Sequence, residues 1–140
     1  MALTTCLTAQ DSEFSHRQWF ETRQLVGNRF DHLEPLTTEV AKVRRGRLFG
    51  LIDRQGNLVQ ESQFSFIGPL WGGAAAVEKN GKWSALNAAG ALVVPANFEE
   101  VRTFQFSDGL FAVRRDTLFA IFDTSGKQRT PFQFQRVEDI

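Results

Sequence analysis

The feature that most constrains the fold of this chain is a repeat of about 35 residues. Phe49, Trp83 and Phe119 are separated by 34 and 36 residues. Around each of them a valine, an Asp or Asn, and a glycine recur at fixed offsets. These recurring residues are Val43, Val77 and Val113; Asp53, Asn87 and Asp123; and Gly56, Gly90 and Gly126. A repeat of this length indicates units that cannot bury their apolar sides alone, so neighbouring units must stack.

The middle unit predicts a β-hairpin followed by a third strand. Asn80-Gly81 is a strong two-residue hairpin signal, because both turn positions require positive φ. Asn87 then opens a second turn through its own side chain, and Gly90 closes that turn in a left-handed conformation. Residues 91–94 are predicted to be the third strand. The flanking units follow the same plan around Gly46-Arg47 and Asp116-Thr117.

The fold class predicted from this pattern is all-β, with tandem three-stranded antiparallel units stacked as a short β array. The second strands are apolar on both faces, since Phe49 and Leu51 alternate with Gly50 and Ile52. Strands of this kind lie inside a stack of sheets. Closure into a compact barrel-like or propeller-like body is the alternative. We predict one domain over residues 1–140, with residues 1–39 as a degenerate unit or cap and repeat units at 40–72, 73–108 and 109–140.

The N-terminal region allows two interpretations. Trp19–Val26 aligns with Ile52–Val59 at a shift of 33 residues, which favours a degenerate fourth unit. The alternative is a helix over Asp11–Leu25, with Asp11 or Ser12 as its N-cap. The apolar residues of this segment are poorly spaced for a helix, so we favour the degenerate unit.

Composition excludes several function classes. Sixteen basic residues balance sixteen acidic ones, which argues against a general nucleic-acid or membrane-surface binder. Cys6 is the only cysteine, so no internal disulfide forms and no oxidising compartment is implied. The N-terminal sequence lacks the basic and apolar regions of a secretory signal. We therefore expect a cytoplasmic protein. Fourteen Phe and no Tyr indicate that most rings serve packing.

The middle unit resembles the WG repeat, also called the KWG repeat, of bacterial proteins. The residues that carry the resemblance occur in the family's order: Gly73 to Val77, Asn80-Gly81, Lys82-Trp83-Ser84, Asn87, Gly90, Val93-Val94-Pro95, Phe98 and Phe106-Ser107-Asp108-Gly109. The resemblance extends more loosely over residues 40–140, with Phe in place of Trp and Gly50, Ser84 or Ala120 after the ring. It implies a bacterial repeat module for protein interaction. Some short members look like toxin-neutralising or secretion-associated proteins.

No pattern of side chains predicts catalysis, so we expect no enzyme activity, no metal and no cofactor. The recurring Asp53, Asn87 and Asp123 stand three residues before a glycine, which is typical of turns. His32 and Glu34 are the only local histidine–carboxylate pair, and no further ligand stands at metal-binding spacing. Cys6 has no neighbour that would lower its pKa. Glu99-Glu100 follows a proline with no evident pocket, so the pair is predicted to be solvated.

The sequence therefore predicts a non-catalytic protein-binding module, either an immunity factor that neutralises a toxin or an adaptor for a secretion component. The candidate binding residues are Trp71, Phe66, Arg44, Arg45, Arg47, Arg114 and Arg115. Solvated hairpin tips and imperfect packing of a divergent repeat are the alternatives for these side chains. A carbohydrate or cell-wall-fragment binder is the alternative function, which would use a co-planar, exposed pair of Trp71 and Trp19. An open sheet edge also allows self-association.

Overall fold

The computed structural model describes residues 19–105 and 108–137. Within these ranges the chain has one helical segment, residues 19–26, which runs into a 3-10 turn at Gly27–Arg29. All other regular elements are strands: β1 His32–Pro35, β2 Val40–Arg45, β3 Leu48–Asp53, β4 Leu58–Phe64, β5 Phe66–Ile67, β6 Ala74–Lys79, β7 Lys82–Asn87, β8 Glu100–Thr103, β9 Leu110–Arg115 and β10 Leu118–Asp123. No helix in the described ranges is long and apolar enough to cross a bilayer.

The strands form three antiparallel sheets, which we call layers 1, 2 and 3. Layer 1 has the order β1-β2-β3-β4, layer 2 has β5-β6-β7 and layer 3 has β10-β9-β8. Each layer is built on a hairpin that contains the repeat's aromatic residue. The first strand of each layer is the end of the preceding sequence unit, and its pairing repeats. The equivalent pairs are Leu33 with Val43, Ile67 with Val77, and Val101 with Val113.

The layers stack face to face, as the apolar second strands predicted. Trp19 and Val26 of the helix cover one face of layer 1. The apolar cluster between layers 1 and 2 contains Leu51, Phe64, Ile67, Val77 and Leu86. The cluster between layers 2 and 3 contains Ala74, Ala85, Phe98, Phe111, Val113 and Phe122 among others. Phe134 and Val137 pack against the remaining face of layer 3. The all-β stacked array is therefore confirmed, and no closed barrel forms over residues 19–105 and 108–137.

The second turn of each unit is the same hydrogen-bonded structure. In layer 1, Oδ1 of Asp53 accepts hydrogen bonds from the N–H groups of Gln55 and Asn57, at 3.0 and 2.9 Å. Asn87 and Asp123 repeat this pattern in layers 2 and 3. The glycine that closes each turn has φ between +85° and +90°. The carboxylates thus serve as turn acceptors, as predicted.

The closing glycines also set the spacing between layers. A Cβ on Gly90 would lie 2.8 Å from Cγ1 of Val59, in the layer before it. A Cβ on Gly56 would likewise lie 3.1 Å from Cγ1 of Val26, whereas a Cβ on Gly126 would meet the backbone carbonyl of Val93. Val26, Val59 and Val93 therefore occupy one repeated position, which we call the stacking position. In the last unit Arg129 takes this position, and it is exposed and paired with an aspartate.

The residue after the aromatic ring must be small because the next strand approaches it closely. A Cβ on Gly50 would lie 2.6 Å from the carbonyl oxygen of Gln60. Ser84 occupies the equivalent position in layer 2, where it is fully buried. Its hydroxyl donates a hydrogen bond to the carbonyl oxygen of Val94 at 2.5 Å.

Residues 19–26 are helical, so the extended segment expected of a degenerate fourth unit is absent there. The alternative helix prediction matches residues 19–25, and its start at Asp11 lies outside the described residues. The buried face of the helix consists of Trp19, Thr22 and Val26. The Thr22 hydroxyl donates to the carbonyl oxygen of Arg54 at 2.6 Å. The segment caps layer 1, and it still places Val26 at the stacking position.

The third strands are less regular than predicted. Only layer 1 has a full one, β4, which pairs with β3 through irregular register. In layers 2 and 3 the predicted strand is reduced to isolated bridges, Leu86 with Leu92 and Phe122 with Gln128. The hairpin is therefore the constant part of each layer.

Candidate partner-binding surface

The hairpin tips of all three layers carry an equivalent row of three side chains. We call these the tip rows: His32–Arg44–Phe49, Phe66–Glu78–Trp83 and Glu100–Arg114–Phe119. The members of each row are directly paired across neighbouring strands, so they lie on the same face of the sheet. The rows share their geometry and differ in the chemistry of their side chains.

The middle tip row presents an apolar pair. Phe66 is 44% exposed, and its ring meets the ring of Trp83 edge to face, with centroids 5.7 Å apart and planes at 61°. Between them in the sheet, Glu78 accepts a hydrogen bond from the Ser65 hydroxyl at 2.9 Å. The ring of Phe66 is therefore held in place while one side remains open to solvent.

The third tip row is closed by an ionic network. Nη1 of Arg114 lies 3.3 Å from the Glu99 carboxylate, and its Nε lies 3.1 Å from that of Glu100. Nε of Arg102 approaches Glu100 to 2.6 Å. Burial alone would raise the pKa of Glu100, but the hydrogen bonds and charges of Arg102 and Arg114 outweigh it and lower that pKa. Arg114 is thus engaged within the protein.

The end of layer 1 is cationic and open. The guanidinium of Arg44 donates a hydrogen bond to the carbonyl oxygen of Gly46, at 3.0 Å. Arg45 and Arg47 are exposed, and neither has a carboxylate within 4.0 Å among residues 19–105 and 108–137. The carboxylate of Asp31, which precedes β1, accepts a hydrogen bond from the Gly46 N–H at 2.7 Å. These three arginines therefore form no ion pair within residues 19–105 and 108–137.

Arg115 lies in a different environment from the other arginines. Its guanidinium carbon is 5.1 Å from the centroid of the Phe98 ring and 4.8 Å from that of Phe132. The two rings stack at 6.3 Å with an interplanar angle of 27°. Cation–π contacts to two rings hold this side chain against the protein surface.

Trp71 does not join the arginines. It is 44% exposed, but its backbone pairs with Ala74 at the start of β6, whereas the tip of that hairpin follows Lys79. A strand of this length spans about 17–20 Å, so Trp71 lies at the opposite end of layer 2 from the tip rows. Of the predicted binding residues, the tips hold Phe66 and the arginines.

Sequence reasoning missed a set of exposed leucines. Leu25, Leu58 and Leu92 each precede a stacking-position valine, and they are 64, 51 and 39% exposed. Their signal was available in the repeat alignment, since they recur at steps of 33 and 34 residues. The repeat alignment does not show that these three leucines are exposed to solvent.

The described residues contain no group of three side chains suited to hold a metal ion. Nε2 of His32 lies 3.9 Å from the Glu34 carboxylate, and both side chains are more than half exposed. Asp123 has its pKa lowered to about 2 by hydrogen bonds from the Ser125 hydroxyl and the Lys127 N–H, which are contacts of its turn. Cys6 and His16 lie outside the described residues.

A comparison with protein families agrees with the repeat seen in the layers. The model of the WG containing repeat matches residues 49–83 and 85–116. The first match runs from the aromatic residue of layer 1 to that of layer 2, and the second ends at the tip of layer 3. No curated protein and no solved structure matches the chain. Residues 49–116 of this chain are therefore two consecutive repeats of the WG-repeat family.

Proposed function

We propose that this protein is a non-catalytic binding module that docks one partner protein on its hairpin tips. The observation that carries the proposal is the Phe66–Trp83 pair, fixed edge to face and 44% exposed at Phe66. Protein interfaces commonly place an aromatic anchor at the centre, with a polar rim around it. Here the flanking tip rows contribute Arg44 on one side and the Arg114 network on the other.

The rigidity of the tips favours binding. The Phe66 ring packs between Trp83 and the backbone at Gly68. A Cβ on Gly68 would lie only 3.2 Å from Cε2 of Phe66, so the ring is in close contact with this backbone. A side chain that is already ordered loses little conformational entropy when a partner binds. The open charge of Arg45 and Arg47 favours a partner that carries acidic residues near the anchor. The finer form of the proposal is a protein that masks a toxin as its immunity factor or recruits a secretion component as an adaptor.

Carbohydrate binding, the alternative function, is not supported by the positions of the two tryptophans. It required Trp19 and Trp71 to form a flat, exposed pair, but Trp19 is fully buried beneath layer 1. The rings that are exposed together, Phe66 and Trp83, are inclined at 61° and do not form a flat platform. We therefore carry only the protein-binding proposal.

The test is affinity capture with variants matched for exposure. Tagged full-length chain is incubated with extract of its source organism, beside Phe66→Ala and Trp71→Ala, which remove side chains that are both 44% exposed. We expect a single stoichiometric protein that Phe66→Ala loses and Trp71→Ala retains. The captured protein is then purified, and its Kd for the three forms is measured by calorimetry.

Two results would overturn the proposal. Failure to capture any stoichiometric protein would reject protein binding. Retention by Phe66→Ala with loss by Trp71→Ala would reject the tips as the binding face. Circular dichroism of each variant checks that the fold persists, and sedimentation of the free chain identifies a second copy as the partner.

A further inference from the structure

Layer 1 contains a cleft lined by side chains of its second and fourth strands and of the segment before β1. It has a volume of about 220 Å³ and lies beside the hairpin tip. Its lining residues are Arg29, Phe30, Arg45, Leu58, Glu61 and Ser62. The internal repeat allows this cleft to be compared with the same place in layer 3.

The backbone establishes which residues are equivalent. The N–H of Asp31 donates to the carbonyl oxygen of Arg44 at 2.7 Å, and the N–H of Glu99 donates to that of Arg114 at 2.9 Å. Phe30 therefore corresponds to Phe98, and Arg45 corresponds to Arg115, since each adjoins one of these hydrogen-bonded residues.

The third pair of equivalent positions, Ser62 and Phe132, lies near the end of each unit. Phe64 pairs with Phe49 in layer 1, and Phe134 pairs with Phe119 in layer 3. Ser62 stands two residues before Phe64, and Phe132 stands two residues before Phe134. Ser62 is therefore the equivalent of Phe132.

In layer 3 the protein fills this place with its own ring. Phe132 stacks on Phe98 at 27° and lies 4.8 Å from the Arg115 guanidinium. The ring is held between a second ring and a cation, and Phe98 is only 3% exposed. In layer 1 the ring and the cation are both present as Phe30 and Arg45, but the filling ring is replaced by a serine.

The middle layer differs from layer 1 in the exposure of the ring and in the identity of the cation. There Phe64 is fully buried, and Lys79 donates to Gln63 at 2.9 Å. In this layer Ala96 is the equivalent of Ser62, and the buried Phe64 presents no exposed ring at this place. In layer 1 a half-buried ring, Phe30, shares the cleft with Arg45, which has no carboxylate within 4.0 Å among the described residues, and Ser62 supplies no second ring.

We propose that this cleft receives an aromatic side chain of the partner, which takes the position that Phe132 takes in layer 3. The inference rests on the proposed function and adds the chemistry of the partner. Ring stacking and a cation–π contact would hold the side chain. Arg29, whose guanidinium lies 5.2 Å from the Phe30 centroid, joins Arg45 against the single carboxylate of Glu61. An acidic residue next to the aromatic one is therefore favoured.

The probe is the capped dipeptide N-acetyl-Asp-Phe-amide, titrated into the isotope-labelled full chain and followed by NMR. We expect saturable shifts at the Ser62 amide and the Arg45 side chain, and weaker shifts with N-acetyl-Asp-Leu-amide. Ser62→Phe supplies the ring that layer 3 already has, so it should weaken the probe's binding about tenfold or more. Phe132→Ser, the reciprocal change, should add a second set of saturable shifts around Arg115.

Absence of saturable shifts at Ser62, or shifts unchanged in Ser62→Phe, would overturn the inference. If Phe132→Ser does not fold, the Ser62→Phe comparison still decides the question. The outcome is separable from that of the proposed function. Partner capture that is lost in Phe66→Ala and unaffected by Ser62→Phe would reject the cleft alone, whereas probe binding without any captured protein would reject the function alone.

Discussion

Replacing Gly90 with alanine tests whether the closing glycines set the distance between layers. Gly90 has φ of +88°, and an added Cβ would lie 2.8 Å from Cγ1 of Val59 and 3.0 Å from Cδ1 of Leu51. Gly81 is a matched control, because its φ is +80° and an added Cβ would meet nothing within 4 Å. The two substitutions share the backbone penalty and differ in the space available.

The expected losses follow from these contacts. The left-handed conformation costs alanine about 1–2 kcal/mol, offset by about 0.4–1 kcal/mol from the reduced entropy of the unfolded chain. Gly81→Ala should therefore lower the free energy of unfolding by about 1 kcal/mol. Overpacking adds about 1–3 kcal/mol at Gly90, for a total of about 2–4 kcal/mol. Urea unfolding followed by tryptophan fluorescence measures both losses.

Adding Val59→Ala to Gly90→Ala removes the methyl group that the new Cβ would meet. The double variant should show a favourable coupling of about 1 kcal/mol or more between the two sites. Equal losses for Gly81→Ala and Gly90→Ala, or additive effects of Gly90→Ala and Val59→Ala, would refute the idea that the turn glycine sets the contact between layers.

Three further predictions concern hydrogen bonds. Asp123 has a folded-state pKa near 2, below its usual 3.8, so its charge stabilises the fold above pH 4 and loses that effect as the pH falls toward 2. Asp123→Asn should keep the turn and flatten the pH dependence of the unfolding free energy between pH 4 and 2; an unchanged slope would contradict this. Ser84→Ala should cost about 1–2 kcal/mol in urea unfolding, because it leaves the Val94 carbonyl without its buried donor; a loss below about 0.5 kcal/mol would show that the bond is dispensable. Thr22→Val should lower the unfolding free energy by a similar amount, because the carbonyl oxygen of Arg54 loses its hydrogen bond from the Thr22 hydroxyl. An unchanged melting temperature would argue against the helix as a cap of layer 1.

The sequence was most informative where structure depends on neighbouring residues. The turns at Asn87 and Asp123 were predictable because one side-chain oxygen and a glycine three residues later suffice to form them. The Asn80-Gly81 hairpin was predictable for the same reason, and both of its residues have positive φ. The stacking of layers followed from strands that are apolar on both faces.

The helix over residues 19–26 was the less favoured prediction because its buried face includes a polar residue. Thr22 is buried between Trp19 and Val26, and its hydroxyl is satisfied by a carbonyl far along the chain. The exposed Phe20 and Leu25 obscured the helical spacing further. A count of apolar residues cannot detect a face whose middle member is polar.

The cleft beside Arg45 could not be predicted from the sequence, for a different reason. Its six lining residues come from the end of the helix region, the tip of β2 and the start and middle of β4. The exchange of Ser62 for Phe132 is visible in the sequence, but its meaning depends on knowing that both positions face an arginine. Trp71 stands with the arginines among the candidate binding residues, and their placement at opposite ends of a strand is likewise not visible in the sequence.

The donation of each layer's first strand by the preceding repeat has a consequence for how the molecule can come apart. A segment cut at the boundary of a sequence repeat would carry an unpaired edge strand at one end and an incomplete sheet at the other. Loss of one hairpin would leave the β5 or β8 strand of its own layer without a partner, and that strand continues directly into the layer before. Neighbouring layers are therefore connected by continuous backbone as well as by packed side chains. Disruption of one hairpin tip is expected to affect the next layer through both connections. A functional segment of this protein has to be excised in phase with the sheets, not with the repeats that are visible in its sequence.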